Sequence, residues 1–296
     1  MVLMNIISHR KIYFIFSAAL LIIGGLGLIF WGLDFGVDFT GGTLMEVRFL
    51  GERPSNQEIQ EKLAELELGQ ISLQTTGEQG LILRLKHIDE QTHQTILEKI
   101  GLDQIEEQRF ESVGPLIGSE LKRKAIWAIG LAMLAIILYI AWAFRKVSRP
   151  IASWQYGLVA IIALFHDLFI TLGFFAFLSH FKEIEIGLPF VAAFLTILGY
   201  SVNDTIVIFD RIRENLLRSN WTDFSQVINQ SINQSLTRCI NTVLTTLFVL
   251  LAIFFLGGLS IKYFALALII GIISGTYSSI FIASPLLVAW QGRKYK

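Results

Sequence analysis

Six long apolar runs alternate with short polar breaks along this chain, and one large polar block separates the first run from the second. The runs are Ile12 to Trp31, Ala125 to Phe144, Ile151 to Phe177, Ile186 to Phe209, Cys239 to Leu256 and Tyr263 to Trp290. A bilayer core needs about 20 apolar residues in helical form, so each run predicts a transmembrane helix. The last is long enough to tilt or to emerge at one end. The first exceeds the roughly 7–15 apolar residues of a signal-peptide core and predicts an uncleaved anchor.

The polar block, Gly32 to Lys124, changes period. Val37 to Leu50 is rich in β-branched and aromatic residues and predicts a strand. Ser55 and Glu58 then form a capping box ahead of a helix in which Ile59, Leu63 and Leu66 share a face. Two strands follow, from Ile71 and from Leu81, parted by the turn residues Gly77 to Gly80; a helix over Glu90 to Ile100 and a strand over Ile105 to Val113 complete the block. This β-α-β-β-α-β order is that of a ferredoxin-like split βαβ fold. The order identifies no ligand: a sheet edge that accepts an extended polypeptide and a purely structural docking module both remain open.

The predicted fold class is therefore an α-helical multispanning membrane protein of six transmembrane helices with one α+β domain. Residues 1–11 form a terminus, 12–31 the first helix, 32–124 the α+β domain, 125–290 helices two to six with short loops, and 291–296 a second terminus. Between spans four and five, Thr222 to Thr237 is polar yet periodic. Phe224, Val227 or Ile228, and Ile232 lie at helical spacing, which predicts an amphipathic helix on the membrane surface.

Composition supports this class, with 53% hydrophobic and 16% charged residues. A net charge of zero argues against a nucleic-acid surface. The distribution of positive charge gives the orientation. Arg10 and Lys11 precede span one; Arg145, Lys146 and Arg149 join spans two and three; Arg211, Arg213 and Arg218 join four and five; Arg293, Lys294 and Lys296 follow six. The loops between spans three and four and between five and six carry only Lys182 and Lys262, which places both termini in the cytoplasm and the α+β domain outside. The single Cys239 can form no intrachain disulfide and no cysteine-based metal site, and no phosphate-binding loop of the G-x-x-x-x-G-K-[ST] type is present. ATP hydrolysis therefore has to come from a partner, and the chain reads as a non-enzymatic subunit.

The residues that do not fit the apolar runs carry the candidate chemistry. Asp204 lies in the fourth run, about 9 Å of helix before Asp210 and Arg211. A carboxylate in the centre of a span costs about 2.5–3.5 kcal/mol, which points to an ion or proton role with a partner nearby; hydration near the interface, or bonding to Asn203 and Thr205, is the plain alternative. Arg238 opens the fifth run, and an antiparallel neighbour would bring it to a comparable depth. His166 and Asp167 are two more ionisable side chains in span three, read either as a secondary proton relay or as a helix contact with a neutral imidazole. In span six, Gly271, Ser274, Gly275 and Ser278 make a small-residue surface for close packing.

Three stretches carry a family likeness: Gly199-Tyr-Ser-Val-Asn203-Asp204 through Asp210 and Arg211 to Asn215; Asp34-Phe-Gly36-Val-Asp38-Phe-Thr-Gly41-Gly42-Thr after span one; and His166-Asp167. Together they resemble the SecF branch of the SecD/SecF family, RND-related membrane subunits of bacterial protein export, over essentially the whole chain. The resemblance implies half of a twelve-helix bundle in the cytoplasmic membrane, the other half being SecD, and a working context of the SecY/SecE/SecG channel, SecA and unfolded preprotein. It implies that Asp204 is the proton-path acid and Arg238 its span-five arginine, with no bound cofactor or metal and H+ as the coupling ion. The implied function is promotion of late steps of export by the proton-motive force. Two other classes stay open: half of an RND-like solute or lipid exporter, distinguished by solute flux, and a non-transporting assembly scaffold, distinguished by indifference to replacement of Asp204.

Overall fold

The computed structural model describes residues 4–66, 68–145, 151–182, 184–218 and 223–294. Among the basic residues used for orientation, Lys146, Arg149, Lys296 and the side chains of Arg293 and Lys294 lie outside that description, as does Thr222 of the predicted surface helix.

Two compact units are present, one of Phe35–Ile126 and one of the remainder. In the smaller unit a short helix α2 (Val37–Thr40) leads into β1 (Gly42–Phe49), α3 (Asn56–Leu63), β2 (Ser72–Thr76), β3 (Gly80–Leu85), α4 (Glu90–Ile100) and β4 (Ile105–Val113), after the first membrane helix α1 (Arg10–Phe30). The strands pair antiparallel in the order β2-β3-β1-β4, so each helix crosses between strands that have another strand between them. Met45, Val47 and Phe49 alternate inward along β1 and meet Leu81 and Leu83 of β3 and Ile59, Leu63, Ile96 and Ile100 of the helices. The capping box read from the sequence is formed: the Ser55 hydroxyl accepts from the Glu58 amide at 3.2 Å, and the Ser55 amide donates to the Glu58 carboxylate at 3.1 Å. Asp89 caps α4 by accepting from the Thr92 amide at 2.9 Å, and the Thr92 hydroxyl and amide together hold its carboxyl below the ordinary range.

Gly41 and Gly42 turn the chain from α2 into β1 at φ +75° and +126°, in the region that side chains avoid. A Cβ on Gly41 would also lie 2.7 Å from Cα of Pro115. Gly41→Ala is therefore expected to destabilise this unit by about 1–3 kcal/mol. Loss of amide-exchange protection in β1 and β4 of the full chain would show it, and wild-type protection would mean the turn relaxes freely.

The larger unit holds α1 together with α5 (Pro115–Ala143) from Trp127 onward, α6 (Ser153–Lys182), α7 (Leu188–Arg218), α8 (Phe224–Leu256), α9 (Leu259–Ser278) and α10 (Ser284–Lys294). A π-helical turn, Ser279–Ala283, joins the last two into one sixth span. Among the described residues six helical segments are long and apolar enough to cross a membrane. Each starts or ends beyond its apolar run; the second helix, for example, begins at Pro115 instead of Ala125, because helical hydrogen bonding continues through polar residues at the membrane edge.

The surface helix predicted between spans four and five is not a separate element. Its polar, periodic stretch is the first half of α8, which runs 33 residues without a break because no glycine or proline interrupts it. Its apolar face, Phe224, Val227, Ile228 and Ile232, is buried as the periodicity requires. Its polar face holds the start of the chain: Asn229 accepts from the amides of Ile6 and Ile7, and Asn229 and Asn233 both donate to the Met4 carbonyl, at 3.0 and 2.9 Å.

Candidate functional site

Within the larger unit α9 packs against both α6 and α7, and its small residues allow close approach. Asp167 of α6 is wholly buried there. Its Oδ2 accepts from Ser201 of α7 at 2.5 Å and from Ser278 of α9 at 2.8 Å, while its Oδ1 contacts Ser274 of α9 at 3.1 Å and its neighbour His166 Nδ1 at 3.0 Å. Ser274 and Ser278 reach the same carboxylate because residues four apart share a helix face. All four lone-pair positions of the carboxylate are thereby occupied.

Asp204 lies one turn beyond Ser201 on α7 and is only 2% exposed. Its Oδ2 accepts from the Thr276 hydroxyl at 2.9 Å, and the buried Cys239 thiol is its neighbour on α8. Thr276 sits between Ser274 and Ser278 in sequence but faces α7, so one helix touches both acids. The polar seam continues in Thr205, whose hydroxyl meets Ser279 Oγ at 2.7 Å. Among the described residues Asp204 thus has fewer partners than Asp167 and keeps lone pairs open to a proton.

Arg238 is placed differently from the sequence expectation of a close pair. It is exposed, and among the described residues no ion pair joins it to Asp204. Adjacent helical residues point about 100° apart, and Cys239 takes the inward direction. The arginine instead lines a polar cavity of about 480 Å³ with Asn203, Asp210, Arg211, Glu214 and Gln234. His166 is 4% exposed, and among the described residues its Nε2 finds no hydrogen-bond partner. It borders an apolar groove of about 610 Å³ lined by Phe14, Ser17, Leu21, Phe165 and Phe169.

The remaining motif residues fall into three places. The Asp34 amide donates to Ser179 Oγ, that hydroxyl also lies 3.2 Å from Asp34 Oδ2, and the Asp34 carbonyl accepts from Ile186 at 2.7 Å, which ties the end of α1 to the α6–α7 connection. Gly36 precedes α2, Asp38 lies in its first turn, and Gly41 and Gly42 make the turn described above. Gly199 and Asn203 are on the exposed side of α7, whereas Asp210 pairs with Arg213 at 3.3 Å and Arg211 with Glu214 at 2.7 Å. Sequence reasoning found the two acids but not their partners: it missed Ser201, Thr276 and Cys239, and read Ser274 and Ser278 as packing residues alone. The available signal was hydroxyl residues recurring at helical spacing inside apolar runs. Among the described residues no three His, Cys, Asp or Glu side chains converge on a metal-sized site.

Comparison with known proteins gives consistent matches. The family "Protein export membrane protein SecD/SecF, C-terminal" matches residues 92–293, and the "SecD/SecF GG Motif" matches residues 28–49. A protein translocase subunit SecF from Thermobaculum terrenum is 43% identical, over 99% of this chain and 96% of the relative. One from Anaerolinea thermophila is 37% identical, over 99% and 96%. The crystal structure of SecDF from Thermus thermophilus, described as a translocon-associated membrane protein, superposes with a TM-score of 0.82 at 33% identity. That match covers 98% of this chain and 39% of the SecDF chain, so this chain corresponds to well under half of the longer protein.

Proposed function

Given that the chain belongs to the SecD/SecF family of protein-export membrane proteins, we propose that it serves the Sec translocase as an accessory subunit in which Asp204 couples proton flow to export. It is a multi-pass protein of the bacterial inner membrane. The observation that carries the coupling is the carboxylate itself: Asp204 is buried within α7 and held by a single hydroxyl and a thiol, with an arginine within electrostatic reach but not bonded to it. Such a group changes charge without dismantling its surroundings.

In this reading the chain supplies one six-helix half and SecD the other, with the SecY/SecE/SecG channel, SecA and unfolded preprotein as the working context, both termini in the cytoplasm and the α+β domain outside. Ionised Asp204 draws α8, through the field of Arg238, and α9, through Thr276, toward α7. Protonation removes the charge and loosens both. A proton crossing 100 mV releases about 2.3 kcal/mol, which biases a two-state equilibrium by well over tenfold. The resulting rocking acts on late steps of export, where forward movement of the emerging polypeptide must outpace backsliding.

The test is export into membrane vesicles containing this chain and its SecD half at fixed ATP, with the proton gradient imposed or collapsed. Asp204→Asn is expected to remove the gradient-dependent part and Arg238→Ala most of it, while assembly and the ATP-driven part persist. Wild-type behaviour of Asp204→Asn would make Asp204 a structural group and the chain a scaffold.

A further inference from the structure

The sixth span contacts both buried acids, through residues that alternate along it. Ser274 and Ser278 bind Asp167 at 3.1 and 2.8 Å, and Thr276 between them binds Asp204 at 2.9 Å. Gly275 brings the backbones together at this level: a Cβ there would lie 2.8 Å from Cβ of Ser201, the residue that also binds Asp167. Directly after these contacts the helix widens into the π turn Ser279–Ala283, in which the Ser284 hydroxyl reaches back to the Ser279 carbonyl at 3.0 Å. Turns of this kind interrupt the regular ladder and recur at functional sites.

Resting on the reading of Asp204 as a proton carrier, we propose that the sixth span answers the charge of that carboxylate. Thr276 is the positioning residue that grips it, and Asp167 with Ser201, Ser274 and Ser278 is the fixed joint about which α9 moves. The two acids differ in how they are held. Asp167 is engaged by three hydroxyls and an imidazole drawn from three helices, so the tether persists whatever the state of Asp204. Thr276 supplies the direct hydroxyl contact from α9 to Asp204. A hydroxyl donating to an ionised carboxylate makes a charge-assisted bond about twice as strong as a neutral one. Protonation of Asp204 weakens that bond and leaves the Asp167 joint closed, so α9 is released from α7 on one side only. The π turn next to the joint provides a place where the helix changes its hydrogen-bond register.

Thr276→Val removes the hydroxyl and keeps the branched shape; Thr276→Ser keeps the hydroxyl. Both would be made in the full chain, assembled with its SecD half in lipid nanodiscs and in vesicles. Infrared difference spectra across pH should contain a carbonyl band of a protonated carboxylic acid that disappears in Asp204→Asn. That band is expected to shift in Thr276→Val and to return in Thr276→Ser. Gradient-dependent export should fall about tenfold in the valine variant and recover in the serine variant, with assembly and ATP-driven export unchanged. An Asp204 band that stays in place in Thr276→Val, or valine-variant export equal to wild type, overturns the role of Thr276 and leaves the proton-carrier reading standing. Spectra without any Asp204-dependent band overturn the proton-carrier reading, and the role of Thr276 with it.

Discussion

Replacing Asp167 by leucine is expected to destabilise the membrane unit by about 3–5 kcal/mol, the range found when one member of a buried charged network is removed. The carboxylate is wholly buried, and its four contacts join α6, α7 and α9. Leucine leaves three hydroxyls and the His166 Nδ1 without their acceptor, each at a cost of about 1–3 kcal/mol if unrelieved. The sum is smaller than four such terms because serine hydroxyls in helices turn back to carbonyls of their own chain; Ser278 already lies 3.1 Å from the Gly275 carbonyl. Asp167→Asn keeps one acceptor oxygen and should lose about half as much. Thermal unfolding of the detergent-solubilised chain, followed by tryptophan fluorescence, measures the order wild type, asparagine, leucine. A leucine variant as stable as wild type would show that the joint contributes nothing net, and would remove the fixed point from the sixth-span inference.

That experiment concerns a network that the sequence displayed only in part. The spans were legible because apolar runs of bilayer length have few alternative explanations, and the α+β unit because its capping box and alternating β1 residues specify local structure directly. Asp204 and Asp167 stood out because carboxylates in apolar runs are costly. Their partners did not stand out. Serine and threonine occur throughout membrane helices as packing residues, and whether Ser278 or Thr276 meets an acid depends on how far α9 is rotated about its axis, which neighbouring helices determine. Rotation also explains Arg238. Its charge drew attention, but the helix phase gives the inward direction to Cys239. The continuity of α8 was hidden for a related reason: polarity changes along it while helical hydrogen bonding does not, so a composition boundary at Cys239 does not mark a structural one.

Helix rotation and approach lead to the second large effect, expected for Gly173→Ala. Gly173 of α6 and Gly24 of α1 lie at a backbone-to-backbone contact, and a Cβ on Gly173 would sit 2.5 Å from Cα of Gly24. No side chain can swing aside there, so α1 and α6 must separate and give up neighbouring contacts such as Trp31 on Phe177, whose rings lie 4.7 Å apart. Overpacking of this kind costs about 1–3 kcal/mol, and more where backbone must move. Alanine gains up to about 1 kcal/mol over glycine in helix propensity, so the clash outweighs the gain. Gly130→Ala in α5 and Gly199→Ala in α7 isolate that gain, because among the described residues nothing lies within 4 Å of a Cβ at either site. Both should raise the melting temperature slightly while Gly173→Ala lowers it. Gly199 adds a second readout. It belongs to the motif that carries the family likeness, yet it is exposed and needs no small side chain for packing among the described residues. If that exposed face meets the SecD half, Gly199→Ala should reduce co-purification with it without loss of stability. Undiminished co-purification would remove that assignment, and a Gly173→Ala variant as stable as wild type would show that α1 is not held by close approach.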